Sequence, residues 1–151
     1  TRIIQNDIDV VFFYPINADY GGGNNEYRNI PTDGRARSAL AEDLASFYGQ
    51  SIGTWEGDTL VIDSINFDDS TWLGRGGLIH SGSMHIVERL TRVGNEIRYD
   101  MTIEDPEMFL EPWVMPTRVL TKNDRPDGGV MAERSPCEVY EAGNVTMQSR
   151  H

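Results

Sequence analysis

The segment that most narrows the fold of this chain is residues 84–104. Residues 84–92 and 96–104 each alternate apolar and polar side chains, and Val93-Gly94-Asn95 separates the two runs. Alternation with a period of two on both sides of a short turn, where Gly and Asn tolerate positive φ, specifies an antiparallel hairpin with one buried face. A lone hairpin is marginal in water, so its apolar face must be covered by further strands or a helix.

The remainder of the chain supplies further strands. Residues 51–55 and 59–67 flank Glu56-Gly57-Asp58 and read as a second hairpin, in which Asp63 shares a face with Val61, Ile65 and Phe67 or sits at a strand end. Residues 2–5 and 26–30 are shorter strands. The run Val10-Val11-Phe12-Phe13-Tyr14, ending at Pro15, reads as a strand buried on both faces. Residues 113–121 form a strand interrupted by Pro116, which marks an edge or a bulge, and Val139-Tyr140 adds a last short one. One helix is expected: Ser38 can cap it, Leu40, Leu44, Phe47 and Tyr48 recur at helical spacing, and Gly49 can end it. Residues 68–83 hold four glycines and read as a long ordered loop, the kind of segment that carries function.

Roughly seven to nine short strands in hairpin order point to an all-β, mainly antiparallel fold. Closure of the meander into a small lipocalin-like barrel would remove its exposed edges, and a two-sheet β-sandwich is the alternative. A length of 151 residues suits one domain, with 123–151 as a peripheral C-terminal segment.

Charge limits the partners. With 24 acidic against 13 basic residues the formal net charge is -11, a field that repels nucleic-acid backbones and anionic membranes. Arg28, Arg35, Arg37 and Arg75 could form a local anion-binding patch within it. Homo-oligomer formation is compatible with the composition. The single cysteine, Cys137, has no partner for a disulfide or a zinc knuckle. No apolar run reaches the roughly 18 residues of a membrane span. The residues after Thr1 have no secretory-signal pattern, and a signal removed ahead of Thr1 fits the sequence equally, so the compartment stays open.

No phosphate-binding loop, dinucleotide fingerprint, nucleophile elbow or His-Glu-x-x-His helix occurs, so no cofactor is expected and acid–base chemistry or plain binding remains. Two of the three histidines, His80 and His85, lie close together near Asp69. Imidazole gives or takes a proton near neutrality, and a nearby carboxylate fixes its tautomer. The expected catalytic set is therefore His85 as base with His80 or Asp69 as partner. Arg75 and Arg89 are expected to anchor a substrate, and Trp72, Trp113 and Tyr99 to line its pocket. Alternation puts His85 and Arg89 on one face of their strand and Glu88 with Met84 on the other, so His85 and Glu88 share a cavity only across a bulge. A metal held by His80, His85 and a carboxylate is chemically reasonable but matches no standard spacing, and no metal is expected. Structural readings compete with these: His85 as a hydrogen-bonded sheet residue, Asp69 as a turn ligand of its own backbone. Glu104-Asp105-Pro106 and Glu111-Pro112-Trp113 add carboxylates beside aromatics at a barrel rim, where desolvation raises a carboxylate pKa.

Taken together, Gly53-Thr54-Trp55-Glu56-Gly57-Asp58-Thr59-Leu60-Val61, Asn66-Phe67-x-Asp69-x-Thr71-Trp72, His80-Ser81, His85-x-x-Glu88-Arg89, Thr102-Ile103-x-Asp105-Pro106 and Pro112-Trp113 resemble a family of largely uncharacterised bacterial proteins. The resemblance covers roughly residues 26–121. It implies homology to a group of which many members look secreted, and it brings no activity with it. The family pattern has an acidic residue after Trp72-Leu73 where this chain has Gly74, so an acid role at that position does not carry over. The leading functional expectation is a cofactor-independent lyase, isomerase or hydratase acting on a hydrophobic or aromatic small molecule. A non-catalytic binding protein for such a ligand is the alternative, and a partner-binding domain the third.

Overall fold

The computed structural model describes residues 2–14, 26–38, 44–74 and 76–124. Eleven strands run through them: β1 (Arg2–Gln5), β2 (Asp9–Tyr14), β3 (Glu26–Pro31), β4 (Gln50–Glu56), β5 (Thr59–Ile65), β6 (Trp72–Gly74), β7 (Leu78–Ile79), β8 (His85–Val93), β9 (Glu96–Glu104), β10 (Trp113–Val114) and β11 (Arg118–Thr121). The described residues are all-β and their ladders are antiparallel. The hairpin that anchors the sequence argument is β8–β9, paired from His85↔Glu104 to Val93↔Glu96, with Gly94 at φ 62° in its turn.

Two sheets carry the core. The larger has the order β10-β9-β8-β5-β4, with β11 also on β9, and the smaller is β1-β2-β3. Both β10 and β11 pair with the free side of β9, and Pro116 falls in the gap between them, where no ladder N–H is required. The expected long loop at 68–83 contains a small hairpin of its own, β6–β7.

Alternation sets the two faces of the larger sheet. Leu60 and Ile62 of β5, Ile86, Glu88 and Leu90 of β8, and Ile103 of β9 point inward and are buried. One cluster joins Leu60, Ile62 and Leu90 to Val10, Phe12 and Ile30 of the smaller sheet, and a second joins Phe67, Met84, Ile86 and Ile103. The sheets meet where β3 crosses β4. A Cβ on Gly53 would lie 2.9 Å from Thr32 and 3.0 Å from Ile30, so only a residue without a side chain admits this approach. Among the described residues the two sheets are not joined by a ladder into one closed barrel.

Three expectations are corrected. β2 is not buried on both faces: Val10 and Phe12 are buried, while Val11 and Phe13 are half-buried, as befits a strand with one solvent side. Phe67 does not share a face with Asp63, because Asn66 adopts φ 62° and reverses the parity, turning Phe67 into the core. The expected helix is absent from the described residues. Residues 39–43 lie outside them, Ser46 bridges to Phe67, and Phe47-Tyr48 is a turn. Leu44 and Phe47 are about two-thirds exposed, so no buried stripe supports a helix there. Tyr48 instead stacks on Tyr14, rings 5.6 Å apart and 12° from parallel. Val139-Tyr140 and Cys137 lie outside the described residues.

Candidate functional site

A cavity of about 400 Å³ opens over the inner face of the larger sheet, a size typical of small-molecule sites. Its wall is mostly apolar, from Phe67, Met84, Ile86, Met101, Ile103 and Met115. Polar groups enter it at two places.

The first is the floor. Glu88 is 2% exposed at the centre of β8, where alternation delivers its carboxylate among Ile86, Leu90 and Met101. Burying a carboxylate so deeply is costly unless it is paired and hydrogen-bonded. Arg28, from β3 of the opposite sheet, forms an ion pair with it, and the Tyr99 hydroxyl donates to its other oxygen at 2.5 Å. The Arg28 guanidinium also lies over the Phe12 ring, 5.4 Å from its centre, and interacts with Tyr14. Burial and the Glu88 charge push the Tyr99 phenol far above its ordinary pKa. Burial raises that of Tyr14 too, against the opposing charge of Arg28. Both tyrosines are therefore protonated donors at neutral pH. Burial works against the Arg28 cation, but Glu88 outweighs it and the net shift is upward.

The second is His80, 5% exposed, just after β7. Its Nδ1 lies 3.0 Å from the Ser81 carbonyl and its Nε2 2.8 Å from Thr71 Oγ1. Thr71 Oγ1 is also 2.9 Å from the Asp68 carbonyl. Thr71 has one hydroxyl proton, so the two contacts are linked. A neutral ring donating from Nδ1 accepts that proton at Nε2, whereas a protonated ring donates from both nitrogens and frees Thr71 to donate to Asp68. Either form of His80 is accommodated by a turn of one hydroxyl.

The loop that carries His80 is tied to the end of β9. Asp105 accepts from the Ser81 amide and the Ser81 hydroxyl, both at 2.7 Å, and from the Glu107 amide at 3.3 Å. Burial acts to raise the Asp105 pKa, yet these donors prevail and hold it below the ordinary value. The raised carboxylate pKa expected at this rim is thus reversed at Asp105.

The expected catalytic trio is not brought together. His85 is on the outer face of β8, its Nε2 2.9 Å from Asp63 and its Nδ1 3.3 Å from Glu104, and it does not line the cavity. Asp69 sits exposed in a turn. His80 alone of the three faces the cavity. With His80 and His85 on opposite sides of the sheet they cannot share a metal, and the described residues hold no group of three His, Cys, Asp or Glu arranged for one. Among the expected binding residues, Trp72, Trp113 and Tyr99 line the cavity. Arg89 is on the outer face, 2.6 Å from Glu56, and Arg75 lies outside the described residues. The expected arginine patch does not form from the described members: Arg28 pairs with Glu88, Arg35 with Asp33 and Asp9, and Arg37 with Asp63.

The sequence reading gave no role to Glu88 or Tyr14, and placed Arg28 only in an anion-binding patch, not against Glu88. A signal for Glu88 was present, since Met84, Ile86 and Leu90 share its parity and mark that face as the apolar one. Comparison of the chain with protein-family models, curated proteins and solved structures gave no match.

Proposed function

We propose that this protein is an acid–base enzyme of the lyase or isomerase kind, which takes a hydrophobic or aromatic small molecule into the cavity and moves a proton on it. One observation carries this reading: two proton-handling groups, His80 with Thr71 and Glu88 with Tyr99, face the same largely apolar cavity. His80 is the proton-transfer group in this reading, because both of its protonation states keep their partners. The apolar wall excludes water, and in such surroundings the Arg28–Glu88 dipole acts strongly on charge that develops in the substrate. His85, on the opposite face, has no part in the chemistry.

The same proposal takes the two sheets as halves of a lipocalin-like barrel wall turned at the β3–β4 corner, and the chain as homologous to the bacterial family it resembles. The packing of Ile30 and Thr32 against Gly53 supports the first. A non-catalytic binding protein is the second reading, and one observation favours it: both ring nitrogens of His80 already have protein partners, as in a structural histidine.

Hydrogen–deuterium exchange separates the two. A panel of phenols and aromatic acids is screened for binding through the fluorescence of Trp72 and Trp113, and bound compounds are followed by NMR in D2O. Catalysis predicts deuterium entering a carbon position, at a rate lost in His80→Gln while binding persists. Binding without exchange across the panel leaves the binding-protein reading.

A further inference from the structure

The two charges on the cavity floor are already paired with each other, although the buried Arg28 Nε has no hydrogen-bond partner among the described residues. Arg28 is matched by Glu88, Tyr99 donates to the same carboxylate, and the floor as a whole is an internally neutralised pair with two protonated phenols beside it. Such a floor rewards an uncharged oxygen, a hydroxyl or carbonyl, that exchanges hydrogen bonds with Tyr14 or Glu88. It does not reward a carboxylate, which would compete with Glu88 for Arg28 and would bring a second negative charge into the apolar interior.

Among the described residues one other arginine borders the cavity. Arg118 of β11 is directly opposite Tyr99 in the ladder, so their side chains leave the same face about 5 Å apart. Unlike Arg28, it is exposed, at the edge of the sheet. Arg35, Arg37, Arg89 and Arg98 each hold a carboxylate within ion-pair distance, but Arg118 has no such partner among the described residues. The exposed ring of Trp72 and the half-exposed ring of Trp113 also border the cavity, so its rim combines one available guanidinium with two indoles.

We infer that the ligand is an amphipathic organic monoanion, an aromatic or aliphatic carboxylate, bound with its charge on Arg118 at the rim and its apolar body inward over Met101 and Ile86. This rests on the cavity being the ligand site, as proposed above. The net charge of -11 opposes an approaching anion, but that field is screened over about 8 Å at physiological ionic strength, whereas the Arg118 contact is local.

The test compares 3-phenylpropanoate with its uncharged amide, 3-phenylpropanamide, on the full chain by isothermal titration calorimetry, in the wild type and in Arg118→Gln. Arg118 is an exposed residue, so the variant folds, and its melting temperature verifies that. A carboxylate held by a charge-assisted hydrogen bond should bind about tenfold more tightly than the amide. The preference should vanish in Arg118→Gln, with amide affinity unchanged, and return in part in Arg118→Lys. Equal binding of acid and amide in the wild type, or a preference that survives Arg118→Gln, overturns the inference while leaving the cavity as a ligand site. If neither compound binds, nor any other apolar probe of similar size, the cavity reading fails and the inference with it.

Discussion

Glu88 and His85 are three residues apart on one strand, and they inhabit different physical worlds. Glu88 is sealed on the inner face, tied to a cation from the other sheet and to a tyrosine of its own. His85 stands half-exposed on the outer face between two carboxylates of neighbouring strands, Asp63 and Glu104. Both are charged-residue clusters with good geometry. They differ in solvent: water screens the outer cluster to a small contribution, whereas on the inner face each loss of a partner strands a buried charge. A cluster's chemical appeal in the sequence therefore says little until the side of the sheet is known.

The largest effect should come from breaking the inner pair. Arg28→Met leaves Glu88 uncompensated and should cost about 3–5 kcal/mol in denaturant unfolding, while adding Glu88→Leu should recover most of that. If the single change costs under about 1 kcal/mol, Glu88 is not a buried charge and the contrast between the faces collapses.

Tyr99→Phe comes next. It removes the donor at 2.5 Å from Glu88 without altering shape, and should cost about 1–3 kcal/mol and weaken binding of cavity ligands. A change in stability with no change in binding would separate the floor from the ligand.

On the outer face, His85→Gln should cost less than about 1 kcal/mol at pH 6 and leave ligand binding and exchange unaltered. Burial tends to lower the His85 pKa, but the hydrogen bonds its ring donates to Asp63 and Glu104 outweigh it and the net shift is upward. The contribution is therefore complete below the unfolded value near 6.5 and fades as pH rises through the folded one. Asp63 has the opposite sense: burial acts to raise its pKa, His85 and Arg37 outweigh that and hold it below the ordinary value, and its contribution is lost as pH falls from 3.8 through the depressed value. Melting temperature against pH should thus show a shallow maximum between these limits that flattens in His85→Gln. An unchanged profile would show that the cluster is energetically silent. Arg89→Ala, which breaks an exposed pair with Glu56, should stay within about 0.5 kcal/mol and serves as the baseline for the outer face.

The parity that separates these two clusters is legible in the sequence. His85 with Arg89 and Met84 with Glu88 fall on opposite faces as soon as the strand is recognised, and Tyr99, Trp72 and Trp113 stand out by their size. The structure puts those three aromatics around the cavity. The functional weight given to His85 over Glu88 followed from intrinsic pKa, which favours histidine near neutrality. Burial, which decides whether a charged group needs a partner, is not a property of a residue type.

The strands and their hairpin order follow from local chemistry alone: alternation over nine residues, Gly94 and Gly57 in the turns, Pro116 at the break between β10 and β11. These depend on sterics and hydrogen bonding among near neighbours, which the order of residues specifies directly. The Phe67 reversal at Asn66, the missing helical stripe at Leu44 and Phe47, and the Arg28–Glu88 pair across 60 positions depend on which sheet comes to lie over which face. Only tertiary packing decided them, because it alone sets which groups lose water and which opposing charge is there when they do.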